Sequence, residues 1–128
     1  NSSVAPAVSV AASSTNICIN QSVTFTATPT NGGTTPAYQW KVNGNNAGNN
    51  SATFTSTTLA NNDVVTVVLT SNLTCAVPAT ATSSGVTMTV GSTATPTITI
   101  STTSTTVCAG SNVTFNASVT NGGSAPAY

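Results

Sequence analysis

The stretch Thr24-Phe25-Thr26-Ala27-Thr28 puts Phe25 and Ala27 on one side of the backbone and threonines on the other. A period of two, built from β-branched and aromatic residues, marks a half-buried strand with apolar groups inward and hydroxyls outward. The scheme returns in Thr53-Phe54-Thr55, Thr87-Met88-Thr89-Val90 and Thr97-Ile98-Thr99-Ile100. No stretch carries the 3.6-residue spacing of an amphipathic helix. Asn31-Gly32-Gly33, Asn43-Gly44 and Asn61-Asn62-Asp63 supply turn residues that tolerate positive φ. The chain therefore reads as all-β, with strands expected over 7–12, 15–19, 22–28, 37–43, 51–57, 63–70 and 79–90, and a bulge at Gly85. Seven short antiparallel strands in about 90 residues indicate a two-sheet sandwich of immunoglobulin-like type. Its expected core is Trp40 and Phe25 with Leu59, Val65, Val67 and Leu69.

Self-comparison extends this reading along the chain. Ile17-Cys18 and Val23-Thr24-Phe25 return as Val107-Cys108 and Val113-Thr114-Phe115, and Asn31-Gly32-Gly33 with Pro36-Ala37-Tyr38 as Asn121-Gly122-Gly123 with Pro126-Ala127-Tyr128. Every offset is 90 residues, and 12 of 22 positions are identical between 17–38 and 107–128. A tandem repeat of 90 residues follows. Residues 1–5 read as the end of a preceding unit or a linker, 6–95 as a complete repeat, and 96–128 as the first third of the next. The second copy stops at Tyr128, where Gln39-Trp40 follow in the first, so the chain is expected to be an excerpt of a longer array. Residues 96–128 lack the strands to close a core and are expected to order only against a neighbour.

Composition removes whole classes of function. Lys41 is the only cation and Asp63 the only anion, His is absent, and Ser, Thr and Asn make up 60 of 128 residues. General acid–base chemistry needs titratable groups tuned near neutrality, usually two with different roles. Nucleic-acid binding needs a basic surface, and calcium or zinc sites need several carboxylates, imidazoles or thiolates. The chain is thus expected to be no enzyme, to hold no cofactor or metal and to bind no nucleic acid. No apolar run reaches the roughly 18 residues of a membrane span, so no membrane insertion is expected. No cationic start followed by an apolar stretch marks a signal peptide, so any export signal is expected to have been removed or to lie upstream. Hydrophobic residues at 38%, spaced by two, argue against disorder.

At Val23-Thr24-Phe25, Tyr38-Gln39-Trp40-Lys41-Val42-Asn43-Gly44, Asp63-Val64-Val65 and Leu69-Thr70-Ser71-Asn72-Leu73-Thr74-Cys75 the chain resembles the Ig-like and PKD-like repeats of large secreted and surface proteins of Bacteroidetes. The resemblance covers both copies. It implies an extracellular location, export by the type IX pathway, and service in an adhesin, a gliding-associated surface protein or a spacer of a polysaccharide-degrading enzyme. Relatives often carry a further cysteine in the strand equivalent to 63–70, where this chain has only valines, so a disulfide through that strand is not open to it.

Cys18, Cys75 and Cys108 are then disulfide candidates, since exported thiols oxidise. Pairing Cys18 with Cys75 would contribute roughly 4 kcal/mol in the chain-entropy model. An immunoglobulin topology instead puts the two at opposite ends of the sandwich, which leaves a staple between neighbouring units as the other possibility. Sequons at Asn1, Asn20, Asn49, Asn72, Asn112 and Asn116 are expected from composition alone.

Two functions from different classes remain. One is a structural repeat of a surface stalk or filament, its partners being neighbouring repeats and, through lateral self-association, other arrays. The other is a module of a secreted hydrolase that binds a surface glycan on exposed aromatics, for which Trp40, Tyr38 and Tyr128 are the only candidates.

Overall fold

The alternating run around Phe25 forms the central strand of a three-stranded sheet. In the computed structural model, which describes residues 2–128, two compact units occur, residues 2–92 and 93–128. The first holds β1 (Ala7–Ala12), β2 (Asn16–Cys18), β3 (Val23–Thr30), β4 (Ala37–Val42), β5 (Asn45–Ala47), β6 (Thr53–Ser56), β7 (Val64–Thr70), β8 (Thr80–Thr82), β9 (Val86–Thr87) and β10 (Thr89–Gly91). The second holds β11 (Thr97–Thr102) and β12 (Phe115–Thr120). No helix occurs among the described residues.

In the first unit, β3 lies between β1 and β6, antiparallel to both. A second sheet runs β5-β4-β7-β8, with β9 also on β7. The two sheets face each other across a common interior, which makes the unit a β-sandwich. Phe25 and Ala27 come from one sheet, Trp40, Val65 and Val67 from the other, and Ile17, Leu59 and Met88 close the margins. Trp40 stands directly opposite Val67 across the β4–β7 pair, with Tyr38 opposite Leu69 and Val42 opposite Val65. This register aligns the three buried positions of β7 with the inward face of β4. Phe25, Trp40 and Phe54 form one aromatic cluster, with ring centroids 5.7 to 6.3 Å apart. Such pairs contribute about 0.5–1.5 kcal/mol each beyond the area they bury.

Three features depart from the sequence reading. Ten strand segments stand where the alternation predicted seven. One addition is β5: Asn43 and Gly44 both take positive φ, 51° and 81°, forming the two-residue turn whose twist suits a hairpin. The other is the breaking of the predicted 79–90 strand into three. Ser83 turns inward there, its Oγ accepting from Val67 N at 3.0 Å while its N donates to Val67 O at 2.9 Å. Gly85 follows so close to Val64 that a Cβ on it would lie 2.6 Å from Cγ1 of that valine. Finally, the chain's start is tied into the first unit: Val4 N donates to Cys75 O and Val4 O accepts from Val77 N, both at 3.0 Å.

The second unit holds a hairpin in the same register as the β1–β3 pair of the first. β11 pairs with β12 from Thr97↔Thr120 to Thr102↔Phe115. Adding 90 to each residue of the β1–β3 ladder, Ala7↔Thr30 to Ala12↔Phe25, gives the same pairs.

Candidate functional site

Each sequence-predicted core residue lies in the interior: Phe25, Trp40, Leu59, Val65, Val67 and Leu69 are all buried. The core also takes in Ile17, Val23 and Met88, which the expected core did not include. Trp40 Nε1 donates to Ser51 O at 2.8 Å, so the indole's one polar atom is satisfied where it lies. Its faces are taken by Phe25 and Phe54. A sugar ring needs an aromatic face open to solvent, and neither Trp40 nor Phe25 offers one. Tyr38 is half-buried against the core. Tyr128 is exposed, beside a groove it lines with Pro96, Ile98 and Pro126.

The two charged side chains are absorbed by local structure. Lys41 Nζ donates to Asn46 Oδ1 at 3.1 Å across the β4–β5 hairpin. Asp63 closes the loop before β7: Oδ1 accepts from Asn43 Nδ2 at 2.7 Å and Oδ2 from Ala60 N at 2.8 Å. Asn43 Oδ1 in turn accepts from Val64 N at 2.9 Å. A carboxylate held by amide donors on both oxygens is a loop clamp. An open groove of about 440 Å³ runs past it, lined by Val42, Ala47, Phe54 and Leu59 with threonine and serine hydroxyls. No group of three His, Cys, Asp or Glu suited to a metal occurs among the described residues.

The opposite end has its own clamp, which sequence reading missed because asparagine is so abundant here. Asn72 Nδ2 donates to Thr35 Oγ1 at 2.8 Å, its Oδ1 accepts from Thr35 N at 3.3 Å, and its backbone N donates to Gly32 O at 3.1 Å. Gly33, at φ 85°, passes beneath it, and a Cβ there would collide with Asn72 Oδ1. The sequon at Asn72 thus has its acceptor nitrogen engaged. The sequon at Asn1 lies outside the described residues.

The cysteines settle differently from the simple pairing. Cys18 stands opposite Gly91 where β2 and β10 end, and Cys75 lies beside Val4 where β1 begins. The length of β7, seven residues and roughly 23 Å, separates these two ends, against the 4.4–6.8 Å Cα separation of a disulfide. Cys18, Cys75 and Cys108 are all free thiols. Oxidation of the folded full chain is expected to give no peptide linking Cys18 to Cys75. Recovery of that peptide, from unreduced digestion and mass spectrometry, would require a different topology.

No family model matches the chain, and neither does any curated protein or solved structure.

Proposed function

We propose that this chain is a non-catalytic structural repeat of a large extracellular surface protein, an immunoglobulin-like module serving as a protease-resistant spacer in an adhesin stalk or filament. The observation that carries this reading is the path of the chain through the first unit. It enters beside Cys75 and leaves beside Cys18, at opposite ends of the strands. A module with its two ends at opposite poles adds length to an array, whereas one with adjacent ends would fold the array back.

The exit is also secured against tension. β10 pairs with β2 in parallel, from Thr89↔Asn16 to Gly91↔Cys18. Thr89 N donates to Thr15 O at 2.8 Å and Ile19 N to Gly91 O at 3.1 Å. Pulling the ends apart drives these strands past each other, so their hydrogen bonds bear load together and not one after another. The absorbed charges and the enclosed aromatic cluster of the first unit support the same role, since they leave that unit without an open aromatic platform or a charged patch.

Two measurements on the full chain test the reading. In co-sedimentation with insoluble plant, fungal and bacterial polysaccharides, and in calorimetric titration with soluble ones, no binding is expected; reproducible binding to one of them would replace the spacer with a glycan-binding module. In the second, the thermal midpoint is expected to stay within about 2 °C between pH 5 and 8, because no histidine is present to titrate in that window. A larger change would reveal a proton-linked group that the described structure does not account for.

A further inference from the structure

The sandwich of the first unit is closed along one side and open along the other. On the closed side β1 packs on β7, β8 and β9, and β2 runs along β10. On the open side β6 is the outer strand of one sheet and β5 of the other. The groove of Val42, Ala47, Phe54 and Leu59 lies between these two edges. Edge strands are commonly guarded by lysine, proline or a bulge. β5 holds the Lys41 ammonium on Asn46. β6, Thr53-Phe54-Thr55-Ser56, has no such guard, and its Thr53 and Thr55 are exposed.

The register of β3 against β6 decides which main-chain groups β6 leaves free. Ala27 N donates to Ala52 O at 2.8 Å, one step beyond the Thr26↔Thr53 pair. Hydrogen-bonded and non-hydrogen-bonded pairs alternate in an antiparallel ladder. Phe25↔Phe54 and Val23↔Ser56 therefore exchange main-chain bonds, while the N–H and C=O of Thr53 and Thr55 point away from β3. The side chains agree: Thr24 and Thr55, a non-hydrogen-bonded pair, bring their Oγ1 atoms to 3.0 Å. Ser51 Oγ accepts from Thr53 N and Ser56 Oγ from Thr58 N, both at 3.2 Å. What remains along the edge, in chain order, is Thr53 O, Thr55 N, Thr55 O and Thr57 N. Acceptor, donor, acceptor, donor is a series that complements its own reverse.

We propose that β6 is a self-pairing edge: two copies of this chain meet about a two-fold axis at Thr55 and join their three-stranded sheets into one. Thr55 N of each copy donates to Thr55 O of the other, and Thr57 N to Thr53 O. Because Ser51 already takes Thr53 N, the register centred on Thr55 is the one that uses every remaining group. Such an isologous contact closes on itself, so it yields a pair and no open-ended fibre. A second copy is the occupant for two reasons. The free groups match their own reverse, and a chain with one cation and one anion brings no repulsion to the axis. Composition leaves lateral association without a location, and this edge supplies one. The pairing stands independently of the spacer role, since it needs no tension along the module.

Sedimentation equilibrium of the full chain tests the pairing. The average mass is expected to rise about 1.3-fold or more between about 20 μM and about 1 mM, as for a weak reversible dimer. Over the same range the Thr55 and Thr57 amides should exchange about 3-fold more slowly, with the Thr53 amide unchanged. Thr55→Pro removes the central donor at an edge position whose N–H faces away from β3, where proline is tolerated. That variant should stay monomeric and keep the cooperative unfolding of the first unit, followed by Trp40 fluorescence. Phe115→Asp, on the exposed face of the second unit, should leave the dimer intact. A monomer at every concentration would overturn the proposal, as would a dimer that survives Thr55→Pro or is lost in Phe115→Asp. Should Thr55→Pro fail to fold, the parent's amides decide: association without slower exchange at Thr55 overturns it.

Discussion

Trp40→Ala is expected to cost the first unit about 3–5 kcal/mol, the range for removing a large buried aromatic. The indole is fully enclosed, touches both other aromatic rings of the core, and leaves Ser51 O without its donor when removed. For a unit of this size each kcal/mol moves the thermal midpoint by about 4–8 °C, so a fall of roughly 12–40 °C is expected by calorimetry. Domains of this size have about 5–15 kcal/mol in all, so a measurable part of the population would be open at 37 °C. Lys41, the only trypsin target in the chain, lies in β4 next to the lost side chain. Trypsin is expected to leave the parent intact and to cut the variant. A variant that kept its thermal transition while losing a polysaccharide ligand would mark Trp40 as a binding residue.

The second large effect is a contrast within one motif. Val23-Thr24-Phe25 and Val113-Thr114-Phe115 are identical in sequence, yet Phe25 is buried and Phe115 is 65% exposed. Phe25→Ala is expected to remove about 3–5 kcal/mol from the first unit. Phe115→Ala in the same 128-residue chain is expected to shift that unit by no more than about 0.5 kcal/mol. Chemical denaturation followed by Trp40 fluorescence reports the first unit in both variants, because the chain has a single tryptophan. Comparable losses from the two substitutions would mean that the second hairpin is integral to the first core.

The strands were legible because threonine and valine alternate so regularly. Along β7 the inward positions 65, 67 and 69 could be read from the sequence, and all three are buried. β5 was signalled by Asn43-Gly44 but escaped because its own residues, Asn45-Asn46-Ala47, carry no apolar alternation. The turn creates that strand more than the strand does itself. The break near Gly85 was half legible: glycine marked the place, but the inward turn of Ser83 depends on Val67, a partner 16 residues away. The clamps at Asn72 and Asp63 were not legible, since one asparagine among so many has no local mark that distinguishes a structural bond from a solvated amide. Only the assembled loops give these side chains their partners.

The proposed mechanical role makes the sharpest demand on the chain. Held through handles at Val4 and Ser92, so that residues 93–128 carry no load, the first unit should stay at constant length as force rises and then lengthen in one step, as the β2–β10 pair shears and the sandwich opens. Extending the 85 residues from Ala7 to Gly91 should release about 25–30 nm, at up to about 3.6 Å per residue less the folded length. Gradual lengthening at low force, or a series of short steps with no single rupture, would contradict a load-bearing spacer.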